Sequence, residues 1–361
     1  MKESEDIMKI GLIDVDGHNF PNLPLMKLSA WHKGQGDTVE WYEPLFHSIV
    51  EPFDKVYMSK VFSFTPDYPY NINAKEIIKG GSGYCISLKD GKEVFNKEKD
   101  IELPQEVELI YPDYSLYYNR IPEVKNTAYG YLTRGCPYGY DLSNPSKKNT
   151  HDYCHVSEKE GFCSHKVADL DSFWNGQKNI VLLDPNITAC KDWKPLFQQL
   201  IDSNAWIDFS QGLDISVMTK EKAEMISQMK VNNIHFAWDR YEDKKIVLPK
   251  FEMFKQITGL AYQNLTVYML TNFDTTVDED LERVYTLRDM GFNPFVMIYN
   301  KDEFVEYDRR GKPMRLKPYN ELLKKYSRQR IEHFSACWKL QRWVNNRIIF
   351  RSCERFEDFN A

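Results

Sequence analysis

Ala128 to Val167, AYGYLTRGCPYGYDLSNPSKKNTHDYCHVSEKEGFCSHKV, is the stretch whose reading decides the fold. It carries three of the seven cysteines (Cys136, Cys154, Cys163) and three of the eight histidines (His151, His155, His165). Ala128–Leu132 reads as a short apolar and aromatic strand that breaks at Thr133-Arg134-Gly135-Cys136-Pro137. A cysteine on a Gly-Cys-Pro turn just past a strand is well placed to hold a metal. The turn exposes the sulfur, the strand fixes its direction, and thiolates are the usual ligands of iron–sulfur clusters and structural zinc.

After this stretch, strand and helix patterns alternate. Strands are expected at Asn179–Leu183, Trp206–Phe209, Asn233–Trp238, Leu265–Leu270 and Pro294–Tyr299, each running into polar residues. Between them, Trp193, Leu196, Phe197, Leu200 and Ile201 follow helical spacing behind Asp192, a candidate cap. Thr219 caps a helix with Ala223, Ile226 and Met229 inside. Another helix surrounds Phe251 and Phe254, and a further one, with Leu281, Val284 and Tyr285, stops at Gly291. With the strand before Cys136 this makes six β/α units. Right-handed crossovers would put all the strand ends on one edge of a parallel sheet.

Ahead of the cysteine stretch, Lys9–Asp16 reads as a buried strand and Leu23–Lys33 as a helix. Thr38–Tyr42 and Lys55–Phe62 read as strands, and Ala74–Lys79 as a short helix. This β-α-β opening predicts a Rossmann-like domain. Gly80-Gly81-Ser82-Gly83 is followed by no GK[ST], so a tight turn is expected rather than a Walker phosphate loop. An irregular connector between Leu103 and Val124 marks the boundary. The expected domains are 1–110, 111–300, and a basic linker with a helical tail (Tyr319–Asn346) over 301–361.

Together these features resemble the radical S-adenosylmethionine (radical SAM) proteins with an N-terminal cobalamin-binding-like domain. In that family a CxxxCxxC loop after the first barrel strand binds three irons of a 4Fe-4S cluster, and the fourth iron takes S-adenosylmethionine. Cys136 matches the first cysteine, Tyr140 stands at the middle position, and Cys154 matches the third after an insertion from Asp141 to His151. The resemblance implies a partial (β/α)6 barrel. It also implies a 4Fe-4S cluster and S-adenosylmethionine as cofactors, with a flavodoxin or ferredoxin type reductant. Cys163 is the replacement expected for the missing thiolate, with His151 and His155 weaker substitutes. Tyr153 occupies the place of an aromatic that packs beside the adenine. Asp184-Pro185-Asn186 lies where the family has a motif holding the methionine ammonium, which a carboxylate could pair. Asp16-Gly17-His18 is a loose echo of the family's cobalamin loop, so a scaffold that binds no cobalamin is expected.

From the residues themselves, Asp184, Asn186, Gln211, Asp214, Asp239 and Asn272 are the candidate ligand contacts at the strand ends. The competing reading of each is a helix cap. Zinc on His151, Cys154, Cys163 and His165, or a loop that binds nothing, are the alternatives to a cluster. The second functional reading is therefore a cluster-less or zinc-holding binding protein on the same scaffold.

Composition narrows the field. At 42% hydrophobic and 14% aromatic, the 361 residues can fill a real core. A formal charge of −6 argues against general nucleic-acid binding. No stretch reaches the roughly 20 apolar residues of a membrane helix. An acidic start, Met1–Asp6, and an odd number of cysteines lead to the expectation of a cytoplasmic chain with reduced thiols.

Overall fold

A computed structural model describes residues 7–17, 19–89, 92–139, 151, 153–308 and 312–360. The chain divides into two compact units, Met1–Val181 and Leu182–Ala361.

In the first unit, strands β1 (Lys9–Asp14), β2 (Thr38–Trp41), β3 (Phe53–Ser59) and β4 (Ala74–Gly80) form a sheet in the order β2-β1-β3-β4. All three pairings are parallel. This is the strand order of flavodoxin-like doubly wound sheets. Helix α1 (Leu23–Gln35) is opened by Asn22, whose side chain accepts from the Leu25 N–H. It packs Leu25 and Leu28 against Ile10 and Leu12 of β1. Another group, Ile13, Tyr42, Phe53, Val56 and Met58, forms a second core.

The helix expected at Ala74–Lys79 is a strand. Its residues run in register with β3 from Phe53↔Ala74 to Ser59↔Gly80. The adjacent β-branched Ile77 and Ile78 suit a pleated edge, and the charges on Lys75, Glu76 and Lys79 protect that edge from further pairing. Gly81 then approaches the Lys60 backbone so closely that a Cβ would sit 2.4 Å from the Lys60 carbonyl oxygen, at φ +94°. Close packing therefore accounts for the glycine run.

The first unit also contains strand β5 (Thr127–Gly130), the short helix α2 (Val156–Glu160) and most of strand β6 (Asn179–Leu182). The division between the units falls within β6. In the second unit come α3 (Trp193–Ser203), β7 (Trp206–Phe209), α4 (Lys220–Ile226), β8 (Lys230–Ala237), α5 (Lys244–Thr258), β9 (Leu265–Thr271), α6 (Val277–Asp289) and β10 (Asn293–Ile298). The six strands follow the order β10-β9-β8-β7-β6-β5. The pairs β7/β8, β8/β9 and β9/β10 are parallel. The protein is thus mixed α/β with a parallel sheet.

Register gives this sheet two different faces, because Cα partners point their side chains the same way. Ile207, Phe209, Ile234, Phe236, Val267, Met269 and Val296 share one face and are buried. Phe236 packs edge-on against Phe251 and Phe254 of α5. Each such ring or branched chain contributes about 1.5–3 kcal/mol on leaving water. The other face carries Asp208, Asn233, His235, Thr266, Tyr268 and Phe295.

The ends of β8 and β9 are held by one side chain. Fully buried Arg283 donates to the carbonyls of Trp238, Asp239 and Leu270 and pairs with the buried Asp280 carboxylate. Over the tail read as helical, Tyr319–Asn346, a short helix (Tyr319–Leu322) is followed by α7 (Arg328–Val344), started by a Ser327 cap. Asn345 accepts from the Val296 N–H, and Gln341 donates to the Val296 carbonyl. The tail therefore satisfies backbone groups of β10, the strand that ends the sheet order. No described helix is long and apolar enough to cross a membrane.

Candidate functional site

In the first unit, the cysteine loop is braced by backbone and charge. Thr133–Arg134 pairs antiparallel with His165–Lys166. Between them Gly135 takes φ +79°, and a Cβ there would lie 2.3 Å from the Cys163 carbonyl oxygen. The Cys136 N–H donates to the Gly161 carbonyl at 3.1 Å. Arg134 pairs with Glu160 at 3.0 Å while lying over the Tyr131 ring, and Ser157 donates to the Tyr138 carbonyl. The chain after Cys136 is thereby tied to α2 and the turn that follows it.

Cys154 stands two residues ahead of α2, and its N–H donates to the His151 carbonyl at 3.0 Å. His151 stacks on Tyr153 with ring centroids 5.3 Å apart and also packs on Tyr138. Cys136, Cys154 and His155 are half-buried, whereas Cys163 and His165 are exposed. Tyr140 and most of the insertion lie outside the described residues, as does His18 of the cobalamin-like echo. Asp16 of that echo is occupied in binding the loop after β3, accepting from the Val61 N–H and the Thr65 hydroxyl.

The fit of this loop to a cluster rests on its donors. Sulfur chemistry is supplied by two half-buried thiols and one exposed thiol on a braced loop. Among the described residues, no three His, Cys, Asp or Glu side chains are grouped as metal ligands. Among the described residues the three thiols are thus not grouped as a ligand set, either for a cluster or for the zinc alternative.

In the second unit, the strand-end residues act first as local architecture. Asn186 and Asp214 are caps, as the competing reading expected. Asn186 accepts from the Ala189 N–H, and Asp214 accepts from the Ser216 N–H and hydroxyl. The two also meet each other, with Asn186 Nδ2 donating to Asp214 Oδ2 at 3.3 Å. Asp239 accepts from the Leu270 N–H. Asn272, at φ +63°, donates to the Tyr299 carbonyl, and its Oδ1 is buried with no hydrogen-bond partner. Asp184 is buried and Gln211 is exposed. Asp192 heads α3 without a side-chain cap bond.

Several residues here had no motif to announce them. Lys222 donates to the Thr188 and Val217 carbonyls, joining the loops that hold Asn186 and Asp214, and burial lowers its pKa. On the sheet, burial raises the Asp208 carboxyl above its ordinary value, with nearby His235 pulling the other way. The available signal was period-two polarity, Asp208, then Asn233 and His235, inside strands that parallel sheets normally fill with apolar residues.

No family model matches the chain, and no curated protein matches it by sequence. Among solved structures, it is similar to the radical S-adenosylmethionine methyltransferase TsrM from Kitasatospora setae, solved with cobalamin and a [4Fe-4S] cluster bound. The TM-score is 0.55 at 10% identity, over 81% of this chain and 75% of that one. At that identity the likeness is one of fold.

Proposed function

We propose that the chain is a radical SAM-type protein. On this reading residues 111–300 form a partial (β/α)6 barrel that takes S-adenosylmethionine at its strand ends, and Cys136, Cys154 and Cys163 hold a 4Fe-4S cluster. The observation that carries the reading is the fold likeness over 81% of the chain, together with a cysteine loop placed after the first strand of the six-stranded sheet. Bracing of Gly135 against Cys163 supports it, since backbone already brings two cysteine segments together.

When bound, the cluster would supply the electron for reductive cleavage of the sulfonium, chemistry beyond any side chain. The chain's own contribution is positioning. Asp184 would pair the methionine ammonium, and Tyr153 would pack on the adenine. Asn186, Gln211, Asp214, Asp239 and Asn272 would line the remainder of the site. A flavodoxin or ferredoxin type protein would be the reductant.

The test is anaerobic reconstitution with iron and sulfide. The expected result is about four irons per chain with broad visible absorption, as for a [4Fe–4S] centre, both lost in Cys136→Ala. Reduction in the presence of S-adenosylmethionine should then release 5′-deoxyadenosine. Zinc bound in preference to iron, or no metal at all, would overturn the cluster reading in favour of a non-catalytic binding protein.

A further inference from the structure

The cysteine loop and the N-terminal sheet fall in one compact unit, Met1–Val181, and charge joins them from two sides. Ahead of Cys136, Arg134 turns to Glu108, which ends the short helix Gln105–Glu108. One carboxylate oxygen, Glu108 Oε1, takes Arg134 at 3.5 Å and Lys27 of α1 at 3.1 Å. Behind Cys154, Lys159 of α2 donates to the Ser82 hydroxyl at 2.9 Å and pairs with Asp100 at 3.6 Å. Ser82 follows Gly81, which packs on the Lys60 backbone, so the anchor on that side is itself fixed.

Ordinary surface pairs contribute little, but these lie partly inside. Lys27 is buried and the Asp100 side chain is 8% exposed, so each has given up water and depends on its partner. Glu108 also stands between two cations that would otherwise face each other. With its charge removed, Lys27 still holds the Glu108 carbonyl, whereas Arg134 meets a like charge. The repulsion then falls on the arm that carries Gly135 and Cys136. Glu160 passes it on, because its carboxylate takes both the Arg134 guanidinium at 3.0 Å and the Gly135 N–H at 3.4 Å.

We propose that Glu108 and Lys159 are positioning residues for the cysteine loop, and that the N-terminal sheet, through Lys27, Ser82 and Asp100, sets how Cys136 and Cys154 are presented. Both act through the backbone of the loop rather than on sulfur. This gives the N-terminal part of the unit a task that needs no bound cobalamin. The proposal deepens the radical SAM-type reading, on which it rests for the use made of these thiols.

The experiment uses the full chain, reduced and free of iron. Alkylation by iodoacetamide is followed at each cysteine by peptide mass spectrometry, which reads local opening in the folded protein. Cys353, in the second unit, is the reference thiol. In Glu108→Gln, Cys136 is expected to react about threefold faster, the scale of a partly exposed ion pair. Cys163, exposed already, should change little. Adding Lys27→Met to Glu108→Gln removes the second cation and should return Cys136 toward its native rate, a rescue that general loosening would not give. Lys159→Met is the second variant and should speed Cys154 in the same way, with folding checked by circular dichroism. Unchanged Cys136 and Cys154 rates in the two folded single variants would overturn the proposal. So would a double variant as reactive as Glu108→Gln. Because the assay contains no iron, its outcome is separate from that of the cluster reading, which fails if reconstitution yields no iron centre.

Discussion

Asn186 and Asp214 end two different loops of the second unit, and one hydrogen bond of 3.3 Å joins their side chains. Each also caps a short helical turn, so the bond locks two caps to each other. Cap residues favour a fixed loop because their oxygens satisfy N–H groups that would otherwise lack partners. Asp214→Ala removes the bonds to the Ser216 N–H and hydroxyl together with the tie to Asn186. A loss of about 1–2 kcal/mol is expected, read as a lower urea midpoint with an unchanged slope.

The buried Arg283–Asp280 pair should behave differently. Arg283→Met strands the Asp280 carboxylate and frees three backbone carbonyls, so a cost of about 3–5 kcal/mol is expected. The double variant Arg283→Met with Asp280→Leu should recover part of it, because no unpaired charge is left inside. A double-mutant cycle by urea unfolding measures the coupling.

In the first unit, His32 is buried at the end of α1, with Nδ1 2.6 Å from Asp37 and Nε2 3.0 Å from the Tyr57 hydroxyl. Burial lowers its pKa, outweighing the opposing pull of Asp37. In the unfolded chain the ring takes a proton near pH 6.5; in the folded chain it resists until lower pH. The unfolded state therefore binds more protons as pH falls from 6.5 toward the lowered folded value, and stability drops across that window. Thermal melts between pH 7.5 and 5 should show this slope in the native protein and a shallower one in His32→Gln.

Gly135 should tolerate no side chain. At φ +79°, with the Cys163 carbonyl where a Cβ would go, Gly135→Ala carries both backbone strain and a clash with main chain. About 2 kcal/mol or more is expected from the combination. If the cysteine loop is the cluster site, iron uptake should fall with it. Gly34→Ala is the control, because a Cβ there meets nothing.

Strand and helix order from β6 to β10 was legible because buried strands and amphipathic helices write strong periods into the sequence. Trp206–Phe209 was read to the residue. Ala74–Lys79 was misread because six residues hold too little pattern to separate a short helix from a charged edge strand, and only pairing with β3 decides. A helical tail over Tyr319–Asn346 was legible, while its division into Tyr319–Leu322 and Arg328–Val344 was not. Capping by Asn186 and Asp214 followed from residue type; their bond to each other did not, since 28 residues separate them. The grouping of Asp208, Asn233 and His235 was hidden for a similar reason. Asp208 lies on β7 whereas Asn233 and His235 lie on β8, so only the register of the assembled sheet brings them side by side.

The two faces of the second unit's sheet also separate what the fold can lose from what it can change. Ile207, Phe236, Val267 and Val296 are fully buried on one face, where each altered methylene is felt. Trp206, Phe295 and Met297 stand in solvent on the opposite side of the same strands. A lineage carrying this sheet can therefore rewrite its open face residue by residue while its shape stays intact. A scaffold of this kind outlives any one chemistry, and a cysteine motif can erode without taking the architecture with it.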